Sequence, residues 1–402
     1  MPIVFFEGFN NSDSDTFKLD TKYWSSNKTI SMSNGAGRTG HSVSLLDRPS
    51  ASGLSANTTL TLSNFNDPLS ISNGIGIGFC FPYRSIMTRP QNISSSPHNE
   101  NLISFYDNSN SEVLRLDIIR TSGTYGDSMG IGIYQNSSLV DTYDFKSHIG
   151  HSWAINNTNS SNGLYYYIGQ YNTFIEIYID AKSQQKISLK FSGNTTYNAP
   201  LRNTNNQLET NINGFNSLKS ITFYSKHNSL EGYTLIDDLY LSAGNSPSEA
   251  LLGQNTRIYK LSLDSNYSPI QWSSYNGNSN GQSVFLNSND GDATYARSET
   301  SGNTSIFELS NLSSTPNNVG GIKIDNIVRS SDPTAGWNMV NVLSSGAAII
   351  DDVKIHEVSS TTYSNKDTFI FTNPMAGSGV PWTLSDINNL KVGIKNLGSY
   401  TT

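Results

Sequence analysis

A disulfide framework, a basic face and a membrane-length apolar run are all missing from this sequence. Its single cysteine, Cys80, excludes an internal disulfide. Charged residues make up only 14% of the chain and the formal net charge is −7, so no basic surface is available to neutralise nucleic-acid phosphates. No run approaches the length needed to cross a bilayer, which argues against membrane insertion. The opening "MPIVFFEGF" is too short for a signal peptide and lacks a basic start. These absences lead us to expect a soluble chain, made in a reducing cytoplasm and not exported by the usual route. Helix-forming patterns are scarce as well, because no segment of helical length repeats its apolar residues every 3.6 positions.

Asn, Ser, Thr and Gly are abundant instead, with 32 Gly among 402 residues. Ser, Asn and Thr compete for backbone hydrogen bonds and disfavour helices, whereas they suit turns between strands. The 21 Tyr and 17 Phe can fill cores although hydrophobic residues are only 35% of the chain. Alternating apolar runs recur throughout: "IVFFEGF", "TLTLSNF", "IGIGFCF", "NLISFYD", "VLRLDII", "IGIYQN", "YYYIGQY", "FIEIYID", "ISLKFSG", "SITFYS" and "TLIDDLYL". Such spacing predicts an all-β fold with an antiparallel jelly-roll sandwich.

A linker-like stretch, "SAGNSPSEALLG", places a domain boundary near residue 246. The expected domains are 1–246, the jelly roll, and 247–402, a second, smaller β domain for assembly. Candidate strands of the latter include "RIYKLSL", "SVFLN", "SIFELS", "GIKIDNIVR", "NMVNVLSS" and "DTFIFTNP". Near the end, Thr383 or Ser385 is placed to cap a helical turn before a last strand, "KVGIKN".

The pair Asp237–Asp238 within "TLIDDLYL" poses a physical problem. Neighbouring side chains on a strand point to opposite faces, so one carboxylate faces inward. A buried carboxylate needs a partner. Backbone N–H groups, an Arg or Lys, or a cation would each serve.

Glu176, Tyr178 and Asp180 in "FIEIYID" share one strand face, the nearest approach to a catalytic acid pair. Their four-residue spacing spans about 13 Å at the usual rise, outside both glycosidase geometries. A solvated strand face is the expectation for them, and no enzymatic activity is expected. His148 and His151 in "SHIGHSW" have no Cys or acidic cluster beside them and read as loop residues. "NGAGRTG" at 34–40 reads as a turn, as does the segment holding Asp290 and Asp292. Tyr165, Tyr166, Tyr167 and Trp153 are aromatic residues suited either to stacking on sugars or to packing.

The opening "FFEGF", the central "FIEIYIDAKSQQKISLKFSG" and the closing "LIDDLYL" resemble the concanavalin A-like, laminin-G-like jelly rolls. The resemblance implies that the first and last strands are neighbours. It also implies that Glu7 meets Asp237 or Asp238, with a structural calcium ion as one expectation. Calcium takes six to eight oxygens, so a loop such as Asn10–Asp15 would have to contribute. From residue 233 onward, "IDDLYL", "LLGQNTRIYKL", "QW" at 271–272, "GDATY" at 291–295 and "PWTLSDINNLKVGIKN" resemble a family of bacteriophage virion structural proteins. The chain departs from that pattern at Gln254, where an acidic residue is expected, and in an Asn/Ser-rich segment after Trp272.

The second resemblance implies a virion structural protein made in the host cytoplasm. Tail, fibre or baseplate association is the first expectation and decoration of the capsid head the second. Its expected partners are other virion proteins, further copies of itself in a homo-oligomer, and a host surface glycan. A free carbohydrate-binding protein is the expectation of another class.

Overall fold

In the computed structural model, the described residues are 3–9, 23–26, 31–33, 42–47, 56–63, 69–70, 74–81, 87–88, 98–120, 129–144, 166–167, 173–180, 185–192, 207–215, 217–227, 232–253, 255–275, 282–286, 293–312, 314–332, 334–344, 349–351, 355–376 and 379–400. They form two compact units, Met1–Ile258 and Tyr259–Thr402.

The strands of the first unit are β1 (Ile3–Glu7), β2 (Trp24–Ser26), β3 (Ser31–Ser33), β4 (Ser42–Asp47), β5 (Ala56–Leu62), β6 (Leu69–Ser70), β7 (Gly74–Phe81), β8 (Met87–Thr88), β9 (His98–Tyr106), β10 (Glu112–Arg120), β11 (Met129–Gln135), β12 (Ser138–Asp144), β13 (Tyr166–Tyr167), β14 (Thr173–Asp180), β15 (Lys186–Ser192), β16 (Gln207–Asn211), β17 (Ser217–Leu218), β18 (Ser220–His227) and β19 (Gly232–Gly244). An eight-stranded sheet runs β16-β15-β14-β7-β19-β4-β3, with β1 also on β19. A seven-stranded sheet runs β12-β11-β10-β9-β18-β5-β2. Pairing within both is antiparallel. The first described strand lies beside the last strand of the unit, as the jelly-roll resemblance implies.

Aromatic residues join the two sheets face to face. Phe79 on β7 meets Phe223 on β18 at 5.5 Å between ring centroids, edge to face, and Phe5 meets Trp24 at 6.1 Å. Full burial of side chains this large contributes about 1.5–3 kcal/mol each, so a few such pairs hold the layers together. One edge is closed by polar groups. Gln135 Oε1 accepts the Asn213 backbone N–H at 3.0 Å, and Thr210 Oγ1 donates to Asp141 Oδ2.

Strand β7 shows how its sequence, "GIGIGFCF", specifies two different faces. Ile75, Ile77, Phe79 and Phe81 alternate with Gly74, Gly76, Gly78 and Cys80, and every one of the eight is buried. The larger residues fill the space between sheets. The glycines lie on the opposite face, where a β-carbon at Gly78 would stand 2.0 Å from Tyr240 Cε1 and one at Gly76 2.5 Å from the Ala250 carbonyl oxygen. Glycine in a strand marks such a close approach.

The second unit contains β20 (Leu263–Ile270), β21 (Ser273–Tyr275), β22 (Tyr295–Arg297), β23 (Thr304–Leu309), β24 (Ile322–Val328), β25 (Gly336–Ser344), β26 (Ile349–Asp351), β27 (His356–Val358), β28 (Ser364–Ile370) and β29 (Lys391–Tyr400). Its main sheet runs β20-β23-β29-β25-β26, with β27 also on β25. Alternation on β25 divides two clusters. Leu343 packs with Trp382, Ile387 and Leu390, whereas Val340 and Val342 pack with Ile306. The two-stranded sheet of β24 and β28 joins the former cluster through Ile322, Ile324 and Ile370. Thr383 caps the short helix Leu384–Asn388 in a reciprocal box with Asp386.

Two sequence expectations are corrected. The segment "SVFLN" lies partly in a helical turn, Gln282–Phe285, rather than in a strand. "RIYKLSL" enters a strand only at Leu263, where β20 begins and pairs with β23. Residues 247–258 fall within the first compact unit.

Candidate functional site

The aspartate pair sits where β19 changes neighbours. Gly232–Ile236 pair with β4 on one flank, and Leu239–Ser242 pair with β1 on the same flank. On the other flank β7 pairs from Asp237 to Gly244, with a register shift between Asp237 and Tyr240. Asp237 and Asp238 occupy this changeover, and Asp238 takes a left-handed backbone conformation with φ +49°. Asp is among the residues that tolerate this region, and the extra residue of a bulge breaks strand alternation. That is why both carboxylates are fully buried.

Backbone N–H groups meet all three acidic residues of this corner. Asp238 Oδ1 accepts from Ile258 N at 2.9 Å, and Asp237 Oδ1 from Asp238 N at 2.8 Å. Glu7, whose register partner is Leu239, accepts from Phe9 N at 3.1 Å through Oε1. Among the described residues, no three His, Cys, Asp or Glu side chains form a group that could hold a metal ion. The loop Asn10–Asp15 lies outside the described residues.

A second carboxylate centre lies on the glycine-bearing face of the same sheet, and it corrects the expectation of a solvated strand face. Glu176, Tyr178 and Asp180 are all buried, Glu176 to 1% exposure. Their cover is the segment that follows β19. It makes one helical turn, Pro247–Ala250, and then runs back over the sheet. Ser242 Oγ donates to the Ala250 carbonyl. Tyr240 Oη accepts from Leu252 N at 2.9 Å and donates to Glu176 Oε1 at 2.7 Å. The same Glu176 oxygen accepts from Gly253 N at 2.6 Å. Leu252 rests on an apolar patch of Cys80, Phe174 and Tyr240, with Phe6 beside it. The Gly74–Gly78 alternation was the signal in the sequence for this close cover.

Electrostatics fix the proton positions. Burial, followed by the charge of Glu176 and the hydrogen bond to it, raises the Tyr240 phenol well above its ordinary range. Tyr240 is therefore a hydrogen-bond donor at neutral pH. Burial, with Asp180 and Glu249 nearby, pushes Tyr178 up to about 12. Its hydroxyl donates to the Gly244 carbonyl at 3.3 Å. The centre is a buried anchor for backbone amides, built from a carboxylate and a neutral phenol.

Residues of the second unit that carried the sequence resemblance are also architectural. Trp272 Nε1 donates to the Asn303 carbonyl at 3.0 Å, and Trp382 Nε1 to the Ile370 carbonyl at 3.1 Å. Tyr295 stacks on Tyr275 with centroids 4.6 Å apart. His148, His151, Trp153, Tyr165, Asp290, Asp292 and residues 34–40 fall outside the described residues. Tyr166 and Tyr167 pair with Thr88 and Met87.

The sequence matches no protein-family model and no curated protein. Solved structures similar to it include the metal-free carbohydrate recognition domain of Emp46p, at 12% identity and TM-score 0.34, covering 59% of this chain and 96% of that one. An alginate lyase from Klebsiella pneumoniae is similar at 10% identity and TM-score 0.33, covering 56% of this chain and 97% of that one. An endo-β-1,4-glucuronan lyase from the fungus Trichoderma reesei is similar at 10% identity and TM-score 0.32, covering 62% and 98%. Two of the three are enzymes, which corrects the expectation that this chain has no enzymatic activity. That expectation rested on a missing carboxylate pair, which glycoside hydrolysis requires.

Proposed function

We propose that this chain is a structural protein of a bacteriophage particle, associated with the tail, its fibres or the baseplate. In this reading the lectin-type sandwich touches a host surface glycan and the second unit serves assembly into a homo-oligomer with other virion proteins. The observation that carries the reading is the use made of the resemblance-bearing residues. Asp238, Trp272, Tyr295 and Trp382 each hold backbone or a neighbouring ring in place, as parts of a framework. A structural calcium ion at Glu7, Asp237 and Asp238 belongs to the same reading. Calcium takes six to eight oxygens, and among the described residues these carboxylates do not by themselves form a group that could hold it.

The deciding experiment is mass spectrometry of purified particles, joined to immunogold labelling with an antibody to this chain. Label on the tail or fibres supports the proposal, and label spread over the head replaces it with capsid decoration. Absence of the chain from the particles by mass spectrometry overturns it. For calcium, a lower melting temperature in chelator is expected, and equal values in calcium and chelator remove the ion from the reading.

A further inference from the structure

We propose that residues 245–258 are a latch, a strap that opens as one unit while the sandwich beneath stays folded. The strap runs antiparallel to β19 over its outer face, because Ala250 meets Ser242, Leu252 meets Tyr240, and Ile258 meets Asp238. Among the described residues it joins no ladder, and each of these attachments is between a side chain and the backbone. Ala250 is the one fully buried residue among the described residues of the strap. The floor is independent of it. Strands β7, β14 and β19 keep their ladders to one another and pack their other face into the core between sheets.

The closed state also contains a reason to open. Glu176 is 1% exposed, yet among the described residues its Oε2 has no hydrogen-bond partner. Release would let water reach that oxygen and offset part of the cost of breaking the strap's hydrogen bonds. It would free a connector of about 45 Å at ~3.3 Å per residue. It would also uncover the apolar patch of Phe6, Cys80, Phe174 and Tyr240. Closed, the strap carries the chain back to the level of Asp238 before it leaves the first unit; open, the last fixed residue is Gly244.

The test is amide hydrogen exchange of the full chain, followed by mass spectrometry at low guanidinium concentrations. Peptides covering 247–258 are expected to exchange through a common opening that depends much less on denaturant than exchange of β7 and β14. Tyr240→Phe removes the acceptor of Leu252 N and a donor to Glu176. It should speed strap exchange about tenfold and leave its shallow dependence on denaturant unchanged. Gly76→Ala tests the same point without touching the phenol, since its β-carbon would meet the Ala250 carbonyl oxygen at 2.5 Å. It too should speed strap exchange. Strap peptides that exchange only with global unfolding, at the rate of β7, would overturn the latch. So would a Gly76→Ala variant with wild-type strap protection.

Discussion

The hydroxyl of Tyr240 donates to Glu176 Oε1 at 2.7 Å while accepting the backbone N–H of Leu252 at 2.9 Å. One phenol thus couples the sheet to the chain that covers it. Glu176 contributes a second, charge-assisted bond to Gly253 N. Groups that share a network do not contribute additively. Glu176→Ala should cost about 2–4 kcal/mol, because it leaves two donors without their acceptor, and Tyr240→Phe about 1–2 kcal/mol. The double variant should cost less than the two singles combined. Urea unfolding of all three variants checks this, and strict additivity would show that the two residues act separately.

Alkaline pH should unfold the first unit over a defined window. Tyr178 has its ionisation raised from an ordinary value of 10.0 to about 12, first by burial and then by Asp180 and Glu249. Below pH 10 neither folded nor unfolded protein releases this proton, and its contribution to stability is complete. Between about 10 and about 12 the unfolded chain releases the proton and the folded one retains it, so stability falls as pH rises. Tyr240 and Tyr143 are raised as well, which extends the fall in the same direction. Urea midpoints measured from pH 8 to 11.5 should decline above pH 10. A midpoint flat across that range would contradict the assignment.

Gly78 tests the close packing of β7. Its alanine β-carbon would lie 2.0 Å from Tyr240 Cε1, a ring held on its other side by the Glu176 bond. Gly78→Ala should therefore destabilise by about 1–3 kcal/mol through overpacking, despite the better strand propensity of alanine. Thermal unfolding provides the check. A stabilised variant would mean that Tyr240 can swing aside without cost.

Much of this framework is legible in the sequence, and the illegible parts share a cause. "GIGIGFCF" and "FIEIYID" announce strands through alternation, and Thr383 announces its helix through the residue three positions later. Alternation also says that Glu176, Tyr178 and Asp180 share a face. It does not say that residues 247–253 return to cover that face, so their burial could not be read locally. The Asp pair defeats local reading in the same way. Its bulge exists because β4 ends and β1 begins along one flank of β19, a fact of distant pairing. "SVFLN" has strand-like composition, yet Ser283 N donates to Asn266 Oδ1 from a helical turn. Its fate is decided by a residue on β20.

The second unit offers a local test of helix capping. Thr383 Oγ1 accepts from Asp386 N at 3.1 Å, and Asp386 Oδ2 accepts from Thr383 N at 2.8 Å. Thr383→Ala should destabilise this unit by about 1 kcal/mol, while Thr383→Ser should cost far less. Hydrogen bonds from Thr383 hold Asp386 below its ordinary value of 3.8. The stabilisation is therefore present above that value and is lost as pH falls through the lower, folded one. Measured at pH 7 and again at the acid end, the wild-type advantage over Thr383→Ala should shrink. An advantage unchanged in acid would place the effect elsewhere than in the box.

Where the first unit ends is open to direct measurement. A chain cut after residue 246, at the composition break, keeps every strand of the sandwich but loses Ala250, Leu252, Gly253 and Ile258. Tyr240, Glu176 and Asp238 would then lose their backbone partners, and the apolar patch under Leu252 would meet water. A chain cut after Ile258 keeps all of these. Loss of the strap should cost about 2–4 kcal/mol from its charge-assisted bonds and buried apolar area. Since 1 kcal/mol shifts melting by about 2–4 °C in domains of this size, residues 1–246 should melt several degrees below residues 1–258. Dye binding to exposed apolar surface should rise in the shorter chain at temperatures where both remain folded. Equal melting temperatures would mean that the strap is carried by the sandwich without stabilising it. In that case the composition break at 246, and not Ile258, would mark the end of the folding unit.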